Sequence, residues 1–205
     1  MKTHALALTL ASVAVLALGA CNDKNGNGSG NAAQSAQTPK AQKAAGDKTI
    51  AAGLDANSKF MAAAKAAGLD QTLAGPGPYT VFVPTDQAIA SAPAGTFDAN
   101  PKNRAQLTGI ITNMILPGTV LVADIDKAID NGKGKAMLAT MGGGTLTATK
   151  DGDKTVLTDS AGHKATITQA DQQFSNGVVQ QVDGVLMPAK MPAANAPAVG
   201  EKAGK

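Results

Sequence analysis

The run Tyr79-Thr80-Val81-Phe82-Val83-Pro84-Thr85-Asp86-Gln87-Ala88-Ile89 constrains the fold of this chain more than any other stretch. Val81, Phe82 and Val83 favour a pleated, buried backbone, and the run is short enough for one strand. Pro84 carries no N–H and pushes Val83 towards extended geometry, which ends the ladder. Thr85 is suited to accept a backbone N–H through its hydroxyl as an N-cap, and Asp86 complements the dipole of the helix that starts there. Such a joint passes the chain from a buried strand directly into a helix.

Around it the hydrophobic period changes along the chain. Residues 57–67 are alanine-rich, with Phe60, Met61 and Ala64 at helical spacing and Gly68 where the helix ends, and residues 69–73 add a short helical turn. Residues 75–78 and 93–101 are punctuated by Gly and Pro and read as loops. In 103–115, Leu107, Ile110, Ile111 and Met114 form the apolar stripe of a core-facing helix, stopped by Pro117-Gly118. Beyond that point strands are expected at 119–122, 135–140, 144–150, 155–158, 165–169, 178–182 and 185–187. Asp151-Gly152, Ser160-Ala161-Gly162 and Asp183-Gly184 supply turns between them. Helices dominate the first half and antiparallel strands the second, so the fold class is α+β.

The ends of the 205-residue chain have a different character. Residues 1–20 carry Lys2 and His4 and then an uncharged apolar run too short to span a bilayer, the pattern of a secretory signal. The run closes in Leu18-Gly19-Ala20-Cys21, which resembles the lipobox of bacterial lipoproteins and makes Cys21 the lipidation site. Two acyl chains at ~0.8 kcal/mol per buried CH₂ hold a protein to a membrane by roughly 20 kcal/mol or more. Residues 21–46 lack apolar periodicity and read as a flexible linker, and 191–205, rich in Ala, Pro, Gly and Lys, as a disordered tail. Residues 47–190 are left as a single domain. The expected location is the bacterial cell envelope, lipid-anchored at the outer membrane, at the periplasmic face or at the cell surface. The formal charge is only +3, there is no Trp, and no basic run is interleaved with aromatics, which argues against a nucleic-acid partner.

A second long motif lies about 90 residues after the joint: Ser175-Asn176-Gly177-Val178-Val179-Gln180-Gln181-Val182-Asp183-Gly184-Val185-Leu186-Met187-Pro188. Asn176-Gly177 suit left-handed backbone before a strand, and Asp183-Gly184 suit a tight turn after it. The two motifs, in this order and at this separation, resemble the paired signature segments of fasciclin-like domains. Ala66-Ala67-Gly68-Leu69, Gly77-Pro78-Tyr79, Pro93-Ala94-Gly95-Thr96 and Leu116-Pro117-Gly118 add to the resemblance. It implies a wedge of antiparallel strands flanked by helices, and a role in adhesion or in binding a protein or glycan. The motif residues Thr80, Phe82, Pro84, Thr85, Asp86, Asn176, Gly177, Asp183 and Gly184 are accounted for mainly by core and turn. Animal members of the family are tied to cell attachment through a Tyr-His pair and through an Asp followed by an aliphatic residue. This chain has Asn113-Met114 at the first place and Asp171-Gln172 at the second, and Gln180 where His is common.

Nothing in the sequence demands an enzyme or a cofactor. Asp159, Ser160 and His163 share one short turn, which reads as solvated rather than as a triad held around a substrate. Zinc would need further His or Cys ligands. Asp124-Ile125-Asp126 and Asp151-Gly152-Asp153 lack the ligand count and terminal Glu of a calcium loop and read as a helix start and a turn. Gly142-Gly143-Gly144 lacks the Lys-Ser/Thr of a phosphate loop and reads as a flexible connector. Met137 and Met141 fit either core or surface. A small-molecule or glycan binding protein of the envelope is the competing reading of the whole chain.

Overall fold

The computed structural model describes residues 46–190. The signal-like segment 1–20, Cys21, the rest of the linker before Gly46 and the tail 191–205 lie outside the described residues. Helices α1 (Ile50–Gly53), α2 (Lys59–Ala67) and α3 (Asp70–Ala74) come first, followed by β1 (Tyr79–Pro84) and α4 (Asp86–Ser91). A 3₁₀ turn at Pro101–Asn103 opens α5 (Arg104–Asn113), which leads to β2 (Ile115–Pro117) and α6 (Val122–Asn131). Five strands complete the chain: β3 (Ala136–Ala139), β4 (Thr145–Asp151), β5 (Lys154–Thr158), β6 (Lys164–Phe174) and β7 (Gly177–Val182).

Helix α2 shows how local chemistry sets an element. The Ser58 hydroxyl accepts from the Met61 N–H at 3.2 Å, and Gly68 ends the helix in left-handed geometry at φ 77°. Between these caps Phe60, Met61, Ala63, Ala64 and Ala67 are buried. They join Leu107, Ile110 and Ile111 of α5, Ile125 and Ile129 of α6, and Val81 and Phe82 of β1 in one core.

The strands make a seven-stranded sheet in the order β2-β1-β7-β6-β5-β4-β3. The strand pairings are antiparallel except between β1 and β7, which run parallel from Tyr79↔Gly177 to Pro84↔Val182. The two long motifs of the sequence are therefore neighbours in space. Strand β6 shifts register between Ile167 and Gln169 and again before Gln172, so its first part pairs with β5 and the rest with β7. The far ends of the sheet come back together: the Met141 N–H, just past β3, donates to the Ile115 carbonyl of β2 at 2.8 Å.

Three expectations are corrected here. Residues 119–122 are not a strand. Val120 N–H is taken by the Thr80 hydroxyl (2.8 Å) and Val122 N–H by Asp171 (3.0 Å), and α6 begins at Val122. Its Ile125 and Ile129 are buried, so the β-branched residues before them concealed a helical stripe. Residues 185–187 are not a strand either, because β7 already has β1 on one edge and β6 on the other. The segment packs Val185, Leu186 and Met187 into the core instead. Finally, the helix expected over 103–115 ends at Asn113, and Ile115 turns into β2.

Candidate functional site

The two motifs meet along the β1–β7 pair, and their polar groups are spent on holding segments together. Thr80 is buried; its hydroxyl donates to the Gly118 carbonyl and accepts from the Val120 N–H, both at 2.8 Å. Phe82 is buried in the core. Pro84 closes β1 opposite Val182, and the Thr85 N–H reaches the Val182 carbonyl at 3.0 Å. The Thr85 hydroxyl accepts from the Ala88 N–H (3.1 Å), capping α4. Asp86 Oδ1 accepts from the Lys59 N–H at 3.0 Å, so this carboxylate also satisfies the first turn of α2.

Asn176 ties together three places far apart in sequence. Its Oδ1 accepts from the Ile50 N–H (2.8 Å), and its Nδ2 donates to the Leu73 (2.9 Å) and Gly75 (2.8 Å) carbonyls. Gly177 follows at φ 152°, with the Tyr79 carbonyl where a Cβ would stand. After β7, Asp183 Oδ1 accepts from the Thr166 N–H at 2.6 Å, and Gly184 lies against the Lys164 carbonyl with no room for a side chain.

Asp171 and Gln172 stand where the resemblance places an Asp followed by an aliphatic residue, and Gln180 where it places a His. Asp171 adopts φ 54°, rare for a residue with a Cβ, and its N–H donates to Gln180 Oε1 at 2.7 Å. Gln180, fully buried, returns its Nε2 to Asp171 Oδ1 at 2.7 Å and also to the Val120 carbonyl. Asp171 Oδ1 receives the Val122 N–H as well, so the pair fastens the bend of β6 to β7 and to the start of α6. Gln172 pairs with Gln169 at the surface (3.1 Å). In a double-mutant cycle of Asp171→Gly with Gln180→Ala, read by urea unfolding, the double variant should lose about 1–2 kcal/mol less than the sum of the single losses. Simple additivity would show that the two side chains do not act as a unit.

Asn113 is 3% exposed, and its Nδ2 is without a hydrogen-bond partner among the described residues. Its Oδ1 faces the Thr140 hydroxyl at 3.4 Å, beside the glycine turn. That turn is no flexible connector: Gly142 N–H donates to the Thr112 carbonyl (3.0 Å) and Gly144 N–H to the Thr140 hydroxyl (3.0 Å). Met137 and Met141 are surface residues, 77% and 43% exposed.

The turn at 159–163 also differs from the solvated turn expected. The Asp159 side chain is fully buried; its Oδ1 accepts from the Ala161 and His163 N–H groups, both at 2.9 Å, and its Oδ2 from the Met187 N–H at 2.7 Å. The carboxylate thereby anchors the segment after β7, which is why that segment needs no ladder. The same Oδ2 accepts from His163 Nδ1 at 2.8 Å, while the imidazole stays 44% exposed. His163 lines a cleft of about 310 Å³ with Ser91, Lys164, Asp183, Val185 and Met187. Spacing alone could reveal the turn, but not that Asp159 lies beneath it. Of the aspartates weighed for calcium, Asp126 holds Lys150 (2.7 Å) and the Thr155 hydroxyl (2.9 Å), and Asp124 meets the Leu121 N–H (3.4 Å). No group of three metal-ligating side chains occurs among the described residues.

The Fasciclin domain family model matches residues 55–188. The chain belongs to the fasciclin domain family. It is 37% identical over 142 residues to protein sll1483 of Synechocystis, covering 68% of this chain and 71% of that protein. It is also 28% identical over 138 residues to human periostin, covering 67% of this chain but 15% of periostin. Among solved structures, a FAS1 domain pair from the insect cell adhesion molecule fasciclin I superposes with a TM-score of 0.50 at 21% identity. That match covers 62% of this chain and 44% of the insect one, and it shows a shared fold.

Proposed function

We propose that this protein is a non-enzymatic lipoprotein of the bacterial cell envelope, anchored through Cys21, whose fasciclin domain mediates adhesion to a protein or glycan partner. The observation that carries the reading is the family match over residues 55–188, set behind Leu18-Gly19-Ala20-Cys21 and a polar linker. The internal bonding of the two motifs supports a scaffold role for them: Thr80 and Asn176 spend their polar groups, and Asp86 and Asp183 one carboxylate oxygen each, on other segments of the domain.

The test expresses the full chain in a bacterial host fed a labelled fatty acid. Wild type should take up label and pellet with membranes, and Cys21→Ser should do neither. Cells displaying the wild type should attach to coated surfaces better than cells carrying Cys21→Ser. Label on the Cys21→Ser variant sinks the anchor, and equal attachment sinks the adhesive role.

A further inference from the structure

We propose that the cleft beside His163 is a binding site for a neutral saccharide of one or two rings. The reading rests on the glycan partner of the proposed function and is independent of the lipid anchor. At about 310 Å³ the cleft falls at the lower end of small-ligand sites. It lies between the end of α4, the start of β6 and the segment after β7, and the last of these is fixed to β6 and to the turn before it. Asp183 Oδ1 holds the Thr166 N–H, and Asp159 holds the Met187 N–H.

The lining offers the chemistry a sugar needs. Asp159 is satisfied by three backbone N–H groups before the imidazole is counted, so the fold does not require His163. The ring is nonetheless held: its Nδ1 lies 2.8 Å from the carboxylate, which leaves the Nε2 edge for a ligand. Lys164 takes part in no ion pair among the described residues, so its ammonium remains a donor. Asp183 adds a carboxylate acceptor, and the Ser91 hydroxyl, which donates to the Gln87 carbonyl at 3.0 Å, keeps its own accepting lone pairs. Donors and acceptors of both charges in one lining suit the hydroxyls of a pyranose, each of which gives one hydrogen bond and takes others. An anionic ligand would meet the Asp183 carboxylate. Val185 and Met187 supply apolar wall for the C–H face of a ring.

The experiment is calorimetric titration of the full chain with maltose, cellobiose and N,N′-diacetylchitobiose, with sodium acetate as the anionic control. At least one disaccharide should bind with a Kd of roughly 0.1–1 mM. His163→Ala and Lys164→Ala should each weaken that binding about tenfold. Ser91→Phe, which adds bulk at an exposed helix end, should abolish it while thermal unfolding stays unchanged, so the test stands even where a histidine variant folds poorly. Asp124→Ala, on the separate helix α6, should leave binding intact. The proposal is overturned by absence of heat with all three sugars, by binding that survives Ser91→Phe, or by acetate binding as tightly as the sugars.

Discussion

Asn176→Ala is expected to cost about 4 kcal/mol, a large part of the 5–15 kcal/mol that typically holds a domain together. The side chain makes three hydrogen bonds from a buried position, all to backbone groups more than a hundred residues away in sequence. Truncation strands the Ile50 N–H and the Leu73 carbonyl in a buried site and the Gly75 carbonyl in a half-buried one, and each stranded buried group costs about 1–3 kcal/mol. Helix α1 spans only Ile50–Gly53, too short to hold itself in place. Its neighbours in chain, Gly46 and Lys48, also reach the turn before β7, through Gly46 N–H to the Gln173 carbonyl and Ser175 N–H to the Lys48 carbonyl. The whole N-terminal segment thus rests on the turn that Asn176 organises. Urea unfolding should show the lowered midpoint with an unchanged slope, and hydrogen exchange should show residues 48–54 losing protection first. Asn176→Asp should not rescue it, because the carboxylate keeps an acceptor for Ile50 but sets negative oxygen against two carbonyls. A loss below 1 kcal/mol in Asn176→Ala would show that water replaces the clamp.

How much of this was readable in the sequence depends on the range over which each cause acts. Thr85 could be read as a helix cap because its partner, Ala88, is three residues away and the proline before it forbids a longer strand. The same local logic found α2, from Ser58 and Gly68, and the hairpin at Asp151-Gly152 between β4 and β5. The α+β class followed from the change of hydrophobic period. The causes that stayed hidden act at long range. Residues 185–187 have every local mark of a strand, yet both edges of β7 are taken, one of them by the parallel β1. Val120 and Val122 look like strand residues, yet their N–H groups are claimed by Thr80 and Asp171. Asp159 looks solvated beside Ser160 and Gly162 until Met187, far along the chain, is seen to donate to it. Periodicity reports which residues want burial; it does not report which backbone groups a distant side chain will claim. The cleft beside His163 is assembled from three separate segments for the same reason, and no motif announces it.

Gly177→Ala is expected to be as damaging as loss of Asn176, about 4 kcal/mol, by a different route. A Cβ at residue 177 would stand on the Tyr79 carbonyl oxygen and close to the Tyr79 N–H, and neither is a flexible side-chain tip that can swing aside. Tyr79↔Gly177 is also the first step of the parallel β1–β7 register. Relieving the clash means moving the start of one strand away from the other and giving up the Tyr79 N–H bond to the Asn176 carbonyl, 3.1 Å in the native fold. Backbone preference adds to this, since φ 152° is a region that residues with a Cβ rarely enter. The control is Gly152→Ala in the β4–β5 turn, where φ is +58° and nothing lies within 4 Å of the added carbon. That substitution carries the conformational penalty without the collision and should cost only about 1 kcal/mol. Measured side by side by urea unfolding, the two variants separate steric exclusion from torsional strain. Equal losses would mean that β1 and β7 can part at Tyr79 freely, and that the contact between the two family motifs does not depend on glycine at 177.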